Sequence, residues 1–258
     1  MAALNTAQAE QGVLIHATGE VARPIRLSYR STGGDVMLHH LIKVDAGASV
    51  TVLEEGMVGA RSNTMIEADV ADDGTLHHLR IQAPESARAA LTNLYARSGA
   101  RSTFKSFGFT ANGAATRNEA VIEILGAEAT AHIAGACLGD NDVAKFHHDD
   151  TVYVTHDAYN CESRQVFKKV LRNGAVGVFQ GKILVQPDAQ KTDGYQISQS
   201  LLLDDDSQFL AKPELEIYAD DVACSHGSTS GAIDETALFY QRSRGVAKKD
   251  AEDLLTLS

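Results

Sequence analysis

The sequence predicts an all-β fold, and three observations indicate it. Short runs alternate between apolar and polar residues with period two, which is the pattern of half-buried strands. Gly, Asn and Asp residues cluster between these runs, as they do in turns. No long helical pattern interrupts the runs from about residue 13 to about residue 224. We therefore expect strands over most of the chain.

The strand-like runs follow one another closely. They cover residues 47–55, 119–125, 127–138, 151–156, 175–185, 195–203 and 214–224. Turn sequences separate them, at residues 72–74, 112–113, 139–142, 173–174, 193–194 and 204–206. A sandwich, a closed barrel or a parallel β-helix could each produce this pattern.

Small residues favour the β-helix among these three folds. Several runs are small on one face and aliphatic on the other, most clearly GAEATAHIAGACLG at residues 126–139. Stacked coils need small residues where they approach closely and aliphatic residues where they stack. Because no clean repeat period accompanies this pattern, the other two folds stay open on the residues alone.

The C-terminal region changes from strand to helix spacing. AIDETALFYQRSR at residues 232–244 has its apolar residues at helical spacing, with Ser230 or Asp234 as the cap and Gly245 as the stop. A second helix begins at KKDAEDLLTLS, with Ala251 and Leu254 on one face. The sequence stops on this apolar stripe without a cap, so we expect the helix to continue in a longer protein.

Composition excludes several classes of function. The net charge of −11 argues against nucleic acid and against an anionic membrane as partners. No apolar run approaches the roughly 20 residues of a membrane span, and the first twenty residues lack the features of a signal peptide. Cys137, Cys161 and Cys224 are widely spaced, without a CxxC motif, which fits a reducing cytoplasm.

Two glycine-containing motifs resemble catalytic ones without matching them. GVFQGKI at residues 177–183 has the wrong glycine spacing for a P-loop and Ile183 in place of Ser or Thr, so we interpret it as a buried strand. GSTSG at residues 227–231 has Thr229 where a nucleophilic serine would stand. We interpret it as a turn that leads into a helix.

Histidine and aspartate pairs are further candidates. The pairs at residues 39–40, 77–78 and 147–148 should each place one ring inside and one at the surface, because neighbours in a strand face opposite ways. His147, His148, Asp149 and Asp150 form the richest metal-ligating cluster. The acidic pairs Asp149/Asp150 and Asp220/Asp221, with the run at 204–206, could serve a β-helix carbohydrate enzyme, although solvated turn carboxylates are the favoured interpretation.

Cys224 and His226 are the pair of greatest interest. Residues i and i+2 of a strand share a face, so the two side chains could bind one metal, or the histidine could lower the pKa of the thiol. Two ligands do not fill a metal site, so the others must come from elsewhere in the fold or from a partner chain. Taken alone, a buried cysteine beside a histidine is the more common arrangement.

The second half of the chain resembles the SufB/SufD family of iron–sulfur cluster assembly scaffolds. The resemblance rests on SRQVFKKVL (163–171), VFQGKILV (178–185), AQKTDGYQISQSLLLDD (189–205), KPELEIYADDVACSHGSTSGAIDETALFYQRSRG (212–245) and AEDLL (251–255). C-S-H-G at residues 224–227 resembles the SufD branch, because the SufB branch has an acidic residue beside that histidine. The residues before about 121 match more weakly.

The resemblance implies a right-handed parallel β-helix core at residues 1–228 and the start of a C-terminal helical domain at residues 229–258. It implies a non-enzymatic scaffold subunit, with the family's N-terminal helical domain and most of its C-terminal one outside this sequence. It also implies two partners in the cytoplasm: a SufB-like sister subunit at strands near residues 215–224 and a SufC-like ATPase at helices near residues 233–257.

The same resemblance makes His226 the stronger site residue and Cys224 the weaker one, in a cluster-assembly site shared across a dimer. We expect no cofactor bound to the isolated chain, and an iron–sulfur cluster only transiently in the full complex. We expect the isolated chain to be a homodimer, because an uncapped solenoid edge is free to pair. A carbohydrate-active enzyme that uses paired aspartates is the alternative.

Overall fold

The computed structural model describes residues 2–30, 33–82, 88–142 and 145–256. In chain order, its strands are β1 (Leu14–Ala17), β2 (Ile25–Arg30), β3 (Asp35–Val44), β4 (Ser49–Met57), β5 (Arg61–Val70), β6 (Thr75–Gln82), β7 (Ala89–Ser98), β8 (Thr103–Ala111), β9 (Ala115–Ile124), β10 (Thr130–Asp140), β11 (His147–His156), β12 (Glu162–Arg172), β13 (Val176–Val185), β14 (Asp193–Leu202), β15 (Gln208–Ile217) and β16 (Ala223–Ala232).

These strands form a parallel β-helix made of two sheets. One sheet has the order β1-β3-β5-β7-β9-β11-β13-β15 and the other the order β16-β14-β12-β10-β8-β6-β4-β2. Each coil therefore contributes one strand to each sheet, and every strand pairs in parallel with the strand two further along the chain. The predicted all-β parallel β-helix is confirmed. A sandwich or a barrel of hairpins would need antiparallel neighbours.

The core lies between the two sheets, and strand alternation produces it. Along β13 every second residue is buried, and the same alternation runs through β6 and β12. The largest enclosed apolar side chains include Phe104, Ile122 and Phe179. Burial of each such side chain contributes about 1.5–3 kcal/mol, so most of the stability comes from these stacked inward columns.

In the described residues, the six coils from β3 to β14 each turn one corner through a residue with positive φ. At the ends of β3, β5, β7, β9, β11 and β13, these residues are Gly47, Asp73, Arg101, Glu128, Asn160 and Lys191. Their backbone N–H groups donate to carbonyls of the following coil, for example Asp73 N to Ala100 O and Arg101 N to Ala127 O, both at 2.8 Å. These hydrogen bonds therefore connect successive coils at the corner, in addition to the bonds between the strands.

The turn predictions are confirmed in most places. Asn112 with Gly113 and Asn173 with Gly174 all have positive φ. Asp193 and Gly194 were expected in a turn, but they open β14, where Gly194 faces the interior. The glycine serves packing there: a Cβ would lie 3.1 Å from the Cys224 sulfur.

Short helices flank the strands: α1 (Ala2–Gln8), α2 (Glu235–Ser243) and α3 (Lys248–Thr256). Asp234 caps α2, since its side chain accepts from the N–H groups of Thr236 and Ala237, and Gly245 follows the helix with φ 90°. Both C-terminal helices were predicted. The last two residues of the second predicted helix, 257 and 258, lie outside the described residues. α1 was not predicted. It is anchored by the buried Asn5, which donates to Leu38 O at 3.0 Å.

Replacement of Glu128 by glycine should stabilise the protein. A non-glycine residue in the left-handed region costs about 1–2 kcal/mol, and the flexibility of glycine in the unfolded chain offsets roughly half of that gain. We expect Glu128→Gly to raise the free energy of unfolding in urea by up to about 1 kcal/mol. Glu123→Gly, within β9, is the control and should lower it by about 1 kcal/mol. Equal losses in both variants would contradict this account of the corner.

Candidate functional site

Cys224 and His226 both lie on β16, the last strand of its sheet. β16 pairs with β14 on one side, and no strand of the described residues pairs with its other edge. Cys224 is in register with Gly194, and His226 with Gln196. The edge therefore presents unpaired backbone groups beside both predicted site residues.

The two side chains share the face of β16 that continues the interior of the β-helix. On this face, Ser228 and Ser230 bond the inward-facing Ser198 and Ser200 of β14 at 3.1 and 3.0 Å. Cys224 and His226 have the same parity along the strand, so they too face the inner side. The sequence-based expectation that they face the same way is confirmed.

Cys224 packs partly against apolar neighbours. It lies against the small cluster that contains Ile183, Val185 and Ala189. Burial raises the pKa of its thiol above the ordinary value. Because the thiolate is the form that binds metal or attacks an electrophile, the free side chain is poorly prepared for either task near neutral pH.

His226 is exposed, and neither ring nitrogen has a partner among the described residues. Its register neighbour Gln196 is fully buried, and neither of its amide atoms has a hydrogen-bond partner among the described residues. His226 therefore lies beside a buried polar side chain of the neighbouring coil. Sequence reasoning missed Gln196, although its inward parity in β14 could have indicated it.

Cys224 and His226 do not form a complete metal site within one chain. In the described ranges, no group of three or more His, Cys, Asp or Glu side chains is placed to hold a metal ion. The arrangement can supply one sulfur and one imidazole nitrogen to an ion or cluster whose other ligands come from outside the chain.

The histidine pairs divide between inside and outside, as expected. His40, His78 and His148 are buried, whereas His39 contacts the exposed Glu67 and His147 is exposed. In the cluster of residues 147–150, His147 is exposed, whereas the other three residues are buried. This cluster was the second candidate for a metal site, and the described residues form no metal site there.

A buried ionic network surrounds His148 instead. The Lys169 ammonium donates to Asp150 Oδ2 at 2.5 Å and to His148 Nδ1 at 2.8 Å, and Asn118 donates to Asp150 Oδ1 at 2.9 Å. Burial alone would raise the pKa of Asp150, but His148, Lys169 and Asn118 outweigh burial and hold that pKa below its ordinary value. Sequence reasoning missed Lys169, whose inward parity in β12 is its only sequence signal.

The two members of the Asp149/Asp150 pair have different partners. Asp150 belongs to the internal network, whereas Asp149 bonds Arg117. Asp221 is exposed and forms an ion pair with Lys191. Asp204 accepts from backbone N–H groups of its own turn, as the interpretation of turn carboxylates predicts.

The two glycine-containing motifs are strands. GVFQGKI lies in β13, and side chains at Gly177 and Gly181 would overlap Lys169 and the Gln196 amide, so the strand interpretation is confirmed. The expected turn at GSTSG is wrong, because residues 227–231 lie within β16, which extends to Ala232. Pairing with β14 outweighs the turn preference of Gly and Ser. The boundary that we expected between the β-helix core and the C-terminal helical domain, after residue 228, falls within this strand.

The comparisons with known proteins place the chain in a class. The family described as "SUF system FeS cluster assembly, SufBD core domain" matches residues 28–258, and the chain belongs to this family. No helix in the described part of the chain has the length and apolar character to cross a membrane.

Within that class, the similarity points to the SufD branch. The chain is 34% identical over 224 residues to the iron–sulfur cluster assembly protein SufD of Escherichia coli, covering 84% of this chain and 51% of the relative. It is 28% identical over 260 residues to a SufBD family protein of Synechocystis sp., covering 94% and 56%. It is also 27% identical over 224 residues to the chloroplastic protein ABCI7 of Arabidopsis thaliana, covering 84% and 46%. The chain spans about half the length of these relatives.

Stability should fall as the pH drops below about 6.5. Burial lowers the pKa of His148 to about 3 and that of His156 to about 4. The two rings therefore take up protons below about pH 6.5 in the unfolded chain, but only near pH 4 or below in the folded chain. As the pH falls across this interval, each ring lowers the free energy of unfolding by about 1.4 kcal/mol per pH unit.

This pH dependence is measured by urea unfolding between pH 7 and pH 5. His156→Gln should flatten the slope, and His147→Gln, at an exposed ring, is the control that keeps the wild-type slope. A free energy of unfolding that stays constant from pH 6.5 to 5 would contradict the burial of neutral rings.

Cys224 should be the cysteine that reacts in the folded protein. Cys137 and Cys161 are buried, and burial raises the pKa of Cys137 to about 12. We expect iodoacetamide to alkylate Cys224 alone, at a rate that keeps increasing with pH above the ordinary thiol range near 8.5. Mass spectrometry after timed labelling measures this, with urea-unfolded protein as the control. A rate that is already maximal at pH 7 would show an activated thiolate instead.

Proposed function

We propose that this chain is the β-helix core of a scaffold subunit for iron–sulfur cluster assembly, and that it has no catalytic activity of its own. The observation that carries the proposal is the incomplete pair Cys224 and His226 on the open edge strand β16. Membership of the SufBD core family and the similarity to SufD of Escherichia coli support the same role.

The partner at the open end of the β-helix is a SufB-like sister subunit. The last coil exposes the free edges of β15 and β16, each ten residues long. β15 and the residue that follows it also expose the large side chains of Leu210 and Tyr218. A free edge with exposed apolar side chains is a surface to which another strand can add. In isolation, a second copy of the chain occupies the same surface and forms a homodimer.

The nascent cluster is the cargo of the shared site. Iron–sulfur clusters are held by thiolates, and imidazole can replace thiolate at part of the ligand set. Cys224 and His226 supply one ligand of each kind, and the sister subunit supplies the others. Contact with iron deprotonates the Cys224 thiol, which overcomes the raised pKa that burial gives it. The cluster is bound only transiently, and the isolated chain has no resident cofactor.

The two C-terminal helices form the surface for a SufC-like ATPase. α2 exposes Phe239 to 73% and Tyr240 to 52%, and α3 exposes Leu254 to 53%. Large exposed side chains close together on short helices are typical of a docking surface. ATP hydrolysis then belongs to the partner, and the assembly acts in the cytoplasm.

Loss of the His226 ring should stop cluster formation without preventing assembly. We expect His226→Ala to co-purify normally with the sister subunit and the ATPase, because the ring is exposed and has no partner within the chain. Cluster yield, measured by iron and sulfide content and by visible absorption, should fall at least about tenfold when a ligand is lost. Thr229→Ala, on the same strand, is the control. Full cluster yield from His226→Ala would remove this residue from the mechanism.

A further inference from the structure

A cavity of about 70 Å³ lies inside the β-helix, away from Cys224 and His226. Gly108 of β8 and Gly135 of β10 are in register there, and Gly108 is also in register with Arg80 of β6. A Cβ at Gly135 would contact the Phe167 ring, whereas a Cβ at Gly108 would have no heavy atom within 4 Å. Since one water needs about 10–15 Å³ of such space, the cavity can hold a small solute.

Arg80 is a buried cation at one end of this cavity and is 7% exposed. Its guanidinium donates to the hydroxyl of Thr92, a neutral acceptor, and it forms no ion pair with the carboxylates of the described residues. Its register neighbour Glu54 bonds His78 at 2.5 Å and Tyr29 at 2.6 Å. The charges of Glu54 and Arg80 act on each other across this register pair, but no carboxylate oxygen of the described residues lies within ion-pair distance of the guanidinium, where a buried charge is normally matched.

Gln82 adds a free donor beside Arg80. It is two residues further along β6, on the same face, and is 6% exposed. Its Oε1 accepts from the Thr110 hydroxyl at 2.9 Å, but its Nε2 has no hydrogen-bond partner in the part of the chain that the structure describes. Both Arg80 and Gln82 line the cavity, so their N–H groups border the same space.

The far end of the cavity also offers a donor. His148 is 2% exposed, and its Nδ1 accepts from the Lys169 ammonium, so the neutral ring carries its hydrogen on Nε2. That Nε2 has no hydrogen-bond partner within the described ranges. The nearby acceptors are already used: Thr92 accepts from Arg80, and Asp150 accepts from Asn118 and Lys169. The remaining hydrogen-bonding capacity of the lining is therefore mainly that of donors.

We propose that this cavity binds a small monovalent anion, of the size of a halide or nitrate, beside Arg80 and Gln82. Water would satisfy the N–H groups but would leave the buried guanidinium without a contacting opposite charge. An anion satisfies the donors through charge-assisted hydrogen bonds and supplies that charge. The proposal is independent of the role of Cys224 and His226 in cluster assembly.

Bromide is the probe for the first experiment. Crystals of the chain grown in sodium bromide should show an anomalous peak in the cavity, within contact distance of the Arg80 and Gln82 nitrogens. In solution, the Tm should be about 2–4 °C higher in sodium bromide than in sodium gluconate of the same ionic strength, because a ligand that binds only the folded state stabilises it. Gluconate is too large for the cavity.

Two variants test the location. Gly108→Val fills the cavity, and Gln82→Glu places a carboxylate beside Arg80, so each should weaken bromide binding at least tenfold and abolish the Tm difference. Gly227→Val is the matched control, because Gly227 also lies in a strand with space beside it, and it should keep the bromide response. An unchanged response in Gln82→Glu, or density for water alone in the bromide crystals, would overturn the proposal. The crystal result decides even if Gly108→Val fails to fold.

Discussion

In-register parallel stacking of the coils is the constraint on which the rest of the structure depends. Each strand bonds the strand two further along, and the left-handed corner residues extend the ladder around one bend. Register fixes which side chains face inward in every coil at once. A polar residue at an inward position cannot rotate to solvent, because a neighbouring coil lies on each side of it. It must find a partner inside, as Lys169, Asp150 and His148 do.

The same constraint explains the character of the last coil. In the part of the chain that the structure describes, no strand stacks on the outer edge of β16, and its inward face is partly open to solvent. Aliphatic side chains there would be exposed, and the strand carries Cys224, His226, Ser228 and Ser230 on that face. An end of the solenoid can therefore carry polar side chains that water solvates. In the interior, an unpartnered polar group such as the Gln196 amide costs free energy, about 1–3 kcal/mol.

Much of the fold could be predicted from the sequence, because strand alternation and helix caps are local signals. The strands, the Asn-Gly turns and the Asp234 cap follow from neighbours in sequence, and so does the shared face of Cys224 and His226. The family resemblance added the parallel topology, which the residues alone left open. The corner conformations of Arg101, Glu128 and Lys191 could not be predicted, since backbone pairing between coils imposes them on residues that do not prefer them. Pairing with β14 likewise makes GSTSG a strand. The Lys169 network could not be predicted either, because it joins residues about twenty positions apart.

The variable length of the coils has a consequence for how such a chain can change. Residues stacked in one column are 26 positions apart between Val44 and Val70, but 32 apart between Ile124 and His156. Most of the difference lies at the corners, while the strands keep their parity, which is why no fixed repeat is visible in the sequence. Insertions at a corner leave both sheets in register, although they interrupt the hydrogen bonds of the corner itself where it has left-handed residues. A single inserted residue within a strand would exchange inside for outside along the rest of that strand. Proteins with this architecture can therefore differ in the lengths of their loops, whereas their strands can differ only by substitution.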